Sequence, residues 1–195
     1  MPTPTSSEPA QSTAADSSRG RPERGAGHYL RDIVNGACDG VVTTLAVVAG
    51  ATGASFEPRI AIVLGIVNLA ADGLSMGASN YLGLKSELEQ LGASVELEAP
   101  WRHGLATALA FVIAGAVPLL AYAARLSATL QFTLALALAF VTLASVGAAR
   151  SLFIRRPPVR CALEMVAIAG SASMLAYCSA RPSLRSYADR LRSYT

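Results

Sequence analysis

The chain has 195 residues, of which 52% are hydrophobic and only 15% charged. Water-soluble domains carry about a quarter charged residues, so the balance argues against a cytosolic domain and for one embedded in lipid. The net charge of +3 does not indicate a nucleic-acid surface, because the arginines flank apolar stretches instead of gathering on one face.

In chain order, residues 1–27 are rich in Pro, Ser, Thr, Ala and Gly and contain no apolar run, which predicts a disordered tail. A secretory signal needs an apolar core of roughly 7–15 residues behind basic ones. None precedes Tyr29, so the first span is expected to act as its own insertion signal. Five transmembrane helices are predicted, at about 33–54, 60–84, 104–124, 126–149 and 161–180. Gly104–Ala124 and Leu126–Ala149 carry no charge at all, and each exceeds the roughly 18 residues that mark a helix able to cross hydrocarbon. Residues 28–182 therefore form one all-α membrane domain, followed by a basic tail over 183–195.

With the N-terminus in the cytoplasm, ten basic residues fall on that side and six on the other, which favours this orientation. The basic C-terminal tail weighs the other way. Lys85 is the lone lysine among 16 basic residues, a bias expected of a GC-rich bacterial genome, so the bacterial cell (inner) membrane is the expected location. Cys38, Cys161 and Cys178 form neither a CxxC motif nor a disulfide framework. Pro118 is expected to kink the third span. Trp101, Tyr122 and Tyr177 are expected at the lipid–water interfaces. Glu164 is expected to pair with Arg160 one turn earlier.

Asp39 and Asp72 lie inside apolar stretches. An acid at bilayer depth costs roughly 2.5–3.5 kcal/mol on insertion scales and marks a pathway or site. On the second span Asn68, Asp72, Ser75, Met76, Ser79, Asn80 and Glu87 fall within an arc of about 140°. On the first, Asn35, Asp39 and Thr43 begin a second polar stripe, within about 80°. Two such stripes facing each other predict a wet groove. Asp72 and Met76 are four apart and stack on one face. A thioether beside a carboxylate suits a later transition metal better than Mg²⁺ or Ca²⁺, with Asp39 as a third ligand. Plainer readings exist: Met76 as a gap-filler in packing, Asp39 as a cap at a helix break, and Cys38 as packing.

Gly36/Gly40 and Gly73/Gly77 have the spacing that brings helices close. Glu87, Glu89, Glu96 and Glu98 form an acidic second loop. It is either a solvated surface or, for Glu87 and Glu89, the mouth of the groove where cations gather.

Two segments carry a resemblance. Arg31-Asp32-Ile33-Val34-Asn35-Gly36-Ala37-Cys38-Asp39-Gly40-Val41-Val42-Thr43 is similar to R-D-x-V-x-G-x-N-D-G-L-V-T of the vacuolar iron transporter family. Asp72-Gly73-Leu74-Ser75-Met76, running on through Tyr81-Leu82 to Lys85-Ser86-Glu87, resembles the same family's acid-x-x-S-M-x-x-x-x-Y-L-x-x-K-S-E. The region around Ala110–Leu120 is a weaker match. The resemblance implies a five-helix homodimer with its ion path at the subunit interface, exchanging Fe²⁺ or Mn²⁺ for protons, with Asp39, Asp72 and Met76 on the path. Cys38 stands where the family has Asn. The connection at about 85–103 is too short for the cytoplasmic metal-binding domain of the long members, so the chain looks like the short, nodulin-21-like and bacterial branch.

The expectation is a carrier of divalent transition-metal ions, Fe²⁺ first and Mn²⁺ next, with protons as the exchanged ion and no tightly bound cofactor. It is not expected to be an enzyme or to bind nucleic acid. The alternatives are a non-transporting metal-binding or structural membrane protein and, further off, an intramembrane aspartyl protease. The protease would need paired acids, but the contexts Ala-Cys-Asp-Gly and Ala-Ala-Asp-Gly lack its G-x-G-D signature and leave Met76 without a role.

Overall fold

A computed structural model describes residues 26–92, 99–124, 126–154 and 157–192, with side chains over 29–92, 99–124, 126–151 and 157–180. The expected tail thus lies outside the described residues up to residue 25. Five helices follow: α1 (Ala26–Gly53), α2 (Pro58–Gln90), α3 (Pro100–Ala123), α4 (Ala128–Ile154) and α5 (Pro158–Arg192). All five contain a stretch long and apolar enough to cross a membrane, and the chain is an integral membrane protein. Large apolar side chains such as Val63, Ile113, Leu120 and Leu175 point outward, which suits lipid and would be a liability in water.

Proline sets three helix starts. Pro58, Pro100 and Pro158 each open a helix, where a missing N–H costs nothing and φ is already helical. The α1–α2 turn is tight, with Ser55 in the left-handed region at φ 54° and Phe56 N–H donating to the Ala51 carbonyl. At the α3–α4 corner the Gln131 amide donates to the carbonyls of Tyr122 and Ala124. That satisfies helix-end acceptors which lipid could not. Pro118 sits inside α3 and is buried.

The helices run longer than the sequence pattern predicts. At 1.5 Å per residue α2 is about 50 Å long, against hydrocarbon of about 30 Å, so its Lys85–Gln90 end projects beyond the apolar layer. Glu87 and Glu89 therefore stand on a helix, not in a loop, while Glu96 and Glu98 lie outside the described residues. Helix α5 continues past the expected span as far as Arg192, so the basic tail is helical over most of its length.

Helices α1 and α3 are the centre of the bundle. α2 packs on α3 and less extensively on α1, while α4 and α5 pack on the other side of α1. One apolar cluster joins Val48, Leu69, Phe111 and Leu119, and another joins Val41, Leu45, Leu143 and Met165. In lipid such contacts gain from tight packing and not from leaving water, so backbone proximity matters. A Cβ on Gly36 or Gly40 would collide with the carbonyls of Thr107 and Phe111 on α3. A Cβ on Gly77 would lie 2.8 Å from the Gly104 carbonyl oxygen, and one on Gly115 2.7 Å from that of Gly40. A Cβ on Gly73 would lie 2.9 Å from Val112 Cγ2. Gly36, Gly40, Gly73 and Gly77 all lie against α3.

Two expectations change. Tyr122 faces inward, buried, with its hydroxyl 3.1 Å from Thr52 Oγ1, because its face of α3 packs on α1. Glu164 pairs with Arg150 of α4 at 3.9 Å, since the α4–α5 contact offers a cation across the interface.

Forcing a side chain into a filled contact costs about 1–3 kcal/mol. Gly40→Val is expected to lower the thermal midpoint in detergent by several degrees. Gly170→Ala, where an added Cβ meets nothing within 4 Å, should melt with the wild type. Equal midpoints for all three would contradict the close α1–α3 approach.

Candidate functional site

The α1–α2 hairpin places the two acids level with each other. Asp39 is fourteen residues before the end of α1 at Gly53, and Asp72 is fourteen after the start of α2 at Pro58. Antiparallel helices joined by a short turn put such residues at one depth, about 21 Å from the turn at 1.5 Å per residue. Their carboxylates are within electrostatic reach of each other. By the same geometry Asn35 stands level with Met76, and Asp32 with Ser79.

Asn35, Asp39, Ser75 and Ser79 are exposed, and Thr43, Asn68 and Asp72 are partly so. In one chain the polar stripes thus form an open face instead of an enclosed groove. The Thr43 hydroxyl donates to the Asp39 carbonyl at 2.9 Å. The Asn68 Nδ2 is buried with no hydrogen-bond partner. Met76 is partly buried and packs against the Phe111 cluster, so its thioether stands between core and stripe. Among the described residues of a single chain, no three His, Cys, Asp or Glu side chains converge as a metal site.

Asn80 turns away from the α1 stripe, donating to Thr107 Oγ1 at 2.6 Å and to the His103 carbonyl at 3.4 Å on α3. It lines a separate polar cavity of about 230 Å³, together with Arg31, Asp32, Ser79, Glu87 and His103. Glu89 forms an ion pair with Lys85 at 3.8 Å. Cys38 is partly buried and lies within electrostatic reach of Arg150.

One contact has no counterpart in the sequence pattern. Asp32 and His103 are both buried, and His103 Nδ1 lies 2.6 Å from Asp32 Oδ2. The Tyr29 ring stacks on the imidazole at 3.9 Å. Asp32 precedes Asp39 by seven residues, nearly two helical turns, so the stripe itself signalled it. Nothing in the local sequence signals its partner seventy-one residues away.

A five-helix integral membrane protein that holds two level acids on an open polar face belongs with ion-handling membrane proteins, since intramembrane acids of this kind mark pathways. Residues 30–99 and 89–181 match the model of the VIT family, and the chain belongs to that family. Relatives include vacuolar iron transporter 1 of Eucalyptus grandis, 37% identical over 73 residues (37% of this chain, 29% of that protein). The vacuolar iron transporter of Plasmodium berghei is 34% identical over 70 residues (36% and 26%). Vacuolar iron transporter 1 of Oryza sativa subsp. japonica is 33% identical over 91 residues (46% and 36%). The matched part of the chain spans about a third or less of these relatives' length.

If the polar face lines a water-filled path, its residues are open to aqueous reagents. In a background lacking Cys38, Cys161 and Cys178, Asn35→Cys, Ser75→Cys and Ser79→Cys should react rapidly with a charged methanethiosulfonate. Ile113→Cys and Leu175→Cys on outward apolar faces should be at least tenfold slower. Indistinguishable rates would contradict a wet face.

Proposed function

We propose that this protein carries divalent transition-metal ions across a membrane, Fe²⁺ first and Mn²⁺ next, in exchange for protons. The observation that carries the reading is the level placement of Asp39 and Asp72 within electrostatic reach of each other, on a face that a single chain leaves open. Two acids at bilayer depth facing lipid would be costly. A second copy related by a two-fold axis covers the face with itself and supplies two more carboxylates and a second Met76 sulfur. Oxygen and thioether donors together suit a borderline ion better than Mg²⁺ or Ca²⁺. The names of the relatives agree with iron as cargo.

The mechanism follows from charge. Asp39 and Asp72 hold protons when the site is empty of metal and release them to a divalent ion, and reprotonation from the far side expels the ion. Exchanging one M²⁺ for two protons moves no net charge. It so avoids about 2.3 kcal/mol per charge for every 100 mV of membrane potential. Asn35, Thr43, Asn68, Ser75 and Ser79 offer polar atoms along the path, and Glu87 and Glu89 on the projecting end of α2 attract cations to its mouth. The basic-residue count supports a cytoplasmic N-terminus, in a bacterial cell membrane as the proposed setting. No catalytic role is assigned to the acids.

Proteoliposomes under an imposed pH gradient, offered Fe²⁺, Mn²⁺, Co²⁺ or Zn²⁺, test this. Wild type should acidify or alkalinise the lumen in step with metal movement, and Asp72→Asn should reduce metal-driven proton flux at least tenfold. Unchanged flux in that variant would sink the reading.

A further inference from the structure

The Asp32–His103 pair has no part in the path described above, yet it adjoins it. His103 Nδ1 lies 2.6 Å from Asp32 Oδ2, so the ring's remaining proton site is Nε2. The pair lines the polar cavity of about 230 Å³ between α1, α2 and α3. A water takes about 30 Å³ of liquid volume, so the cavity accommodates several. Ser79 lines that cavity and is also exposed on the α2 stripe, two turns along from Asp72. The cavity therefore joins the imidazole to the α2 stripe at Ser79, about 10 Å along the helix from Asp72 at 1.5 Å per residue.

We propose that His103 is a proton-accepting site of the carrier, set beside the metal path and held in place by Asp32. The inference rests on the exchange reading above. When the carrier releases a proton, water in the cavity passes one to Nε2 of the neutral imidazole. The Nδ1–H remains hydrogen-bonded to Asp32. On return, Nε2 gives the proton back to water, and no other bond changes. Histidine is the side chain whose ordinary titration lies between pH 5 and 8.

The surrounding charges are few. On α1 Arg31 and Asp32 line the cavity and Tyr29 covers the ring face; on α2 Glu87 lines it. On α3 the neighbouring Arg102 is stacked over Trp101 at 5.3 Å. Of these groups, Asp32 is the one in direct contact with the ring. Asp32 is thus a positioning residue for His103.

The chain has two histidines, so His28→Gln leaves His103 as the sole reporter for ring ¹⁵N spectra in nanodiscs. One titration between pH 5 and 8.5 is expected, displaced to lower pH by at least half a unit when Asp32→Asn is added. A ring fixed in one protonation state across that range overturns the proposal, and this measurement does not depend on the folding of a His103 variant. In proteoliposomes, His103→Gln should keep Mn²⁺ affinity within twofold at pH 7 while flattening the pH dependence of Mn²⁺ uptake between pH 6 and 8. A wild-type pH profile in His103→Gln also overturns it. Mn²⁺ uptake without proton movement in the wild type overturns the exchange reading instead, so the two failures are seen in different proteins.

Discussion

Lipid gives helices no hydrophobic reason to associate, so in this bundle the geometry depends on how near backbones can come. Helix α3 is gripped from both sides through glycine. Gly36 and Gly40 bring α1 against the Thr107 and Phe111 carbonyls, and Gly77 meets Gly104 where α2 arrives. Packed helices with ordinary side chains sit about 8–10 Å apart; carbonyl contact at a glycine Cα needs less. With α3 behind them, the polar stripes of α1 and α2 are left facing outward.

That arrangement explains why the acids stand level with each other. The short α1–α2 turn fixes their depth, and α3 fixes the rotation of each helix. Asp39 and Asp72 then share a level, while Met76 stands one turn farther from the α1–α2 turn and packs against the core. The same docking on α3 creates the neighbouring polar cavity, because Asn80 and Asp32 turn toward Thr107 and His103. One set of close contacts thus sets up the proposed metal path and a separately enclosed titratable pair beside it.

Much of this was legible in the residues, for physical reasons. Runs of apolar residues gave five helices because only a closed set of backbone hydrogen bonds survives in lipid. The G-x-x-x-G spacings gave the packing sites, and the cost of an intramembrane acid singled out Asp39 and Asp72. Helix ends were less legible, since α2 and α5 continue beyond their apolar stretches. What failed was partner choice. Local spacing assigned Glu164 to Arg160, but Arg150 across the α4–α5 contact faces it. Tyr122 looked like an interface anchor by depth, but its direction is set by Thr52 on α1. The Asp32–His103 contact joins residues far apart in the chain, and no periodicity on either helix encodes it.

The central claim is that the acids of α1 and α2 make one metal site per pair of chains. Native mass spectrometry of the protein released from nanodiscs in the presence of Mn²⁺ tests it most directly. The account predicts a two-chain species retaining one Mn²⁺, with the ion lost in Asp39→Asn while the pairing persists. A single chain that retains its own ion, or an Asp39→Asn dimer that binds Mn²⁺ as the wild type does, would contradict it.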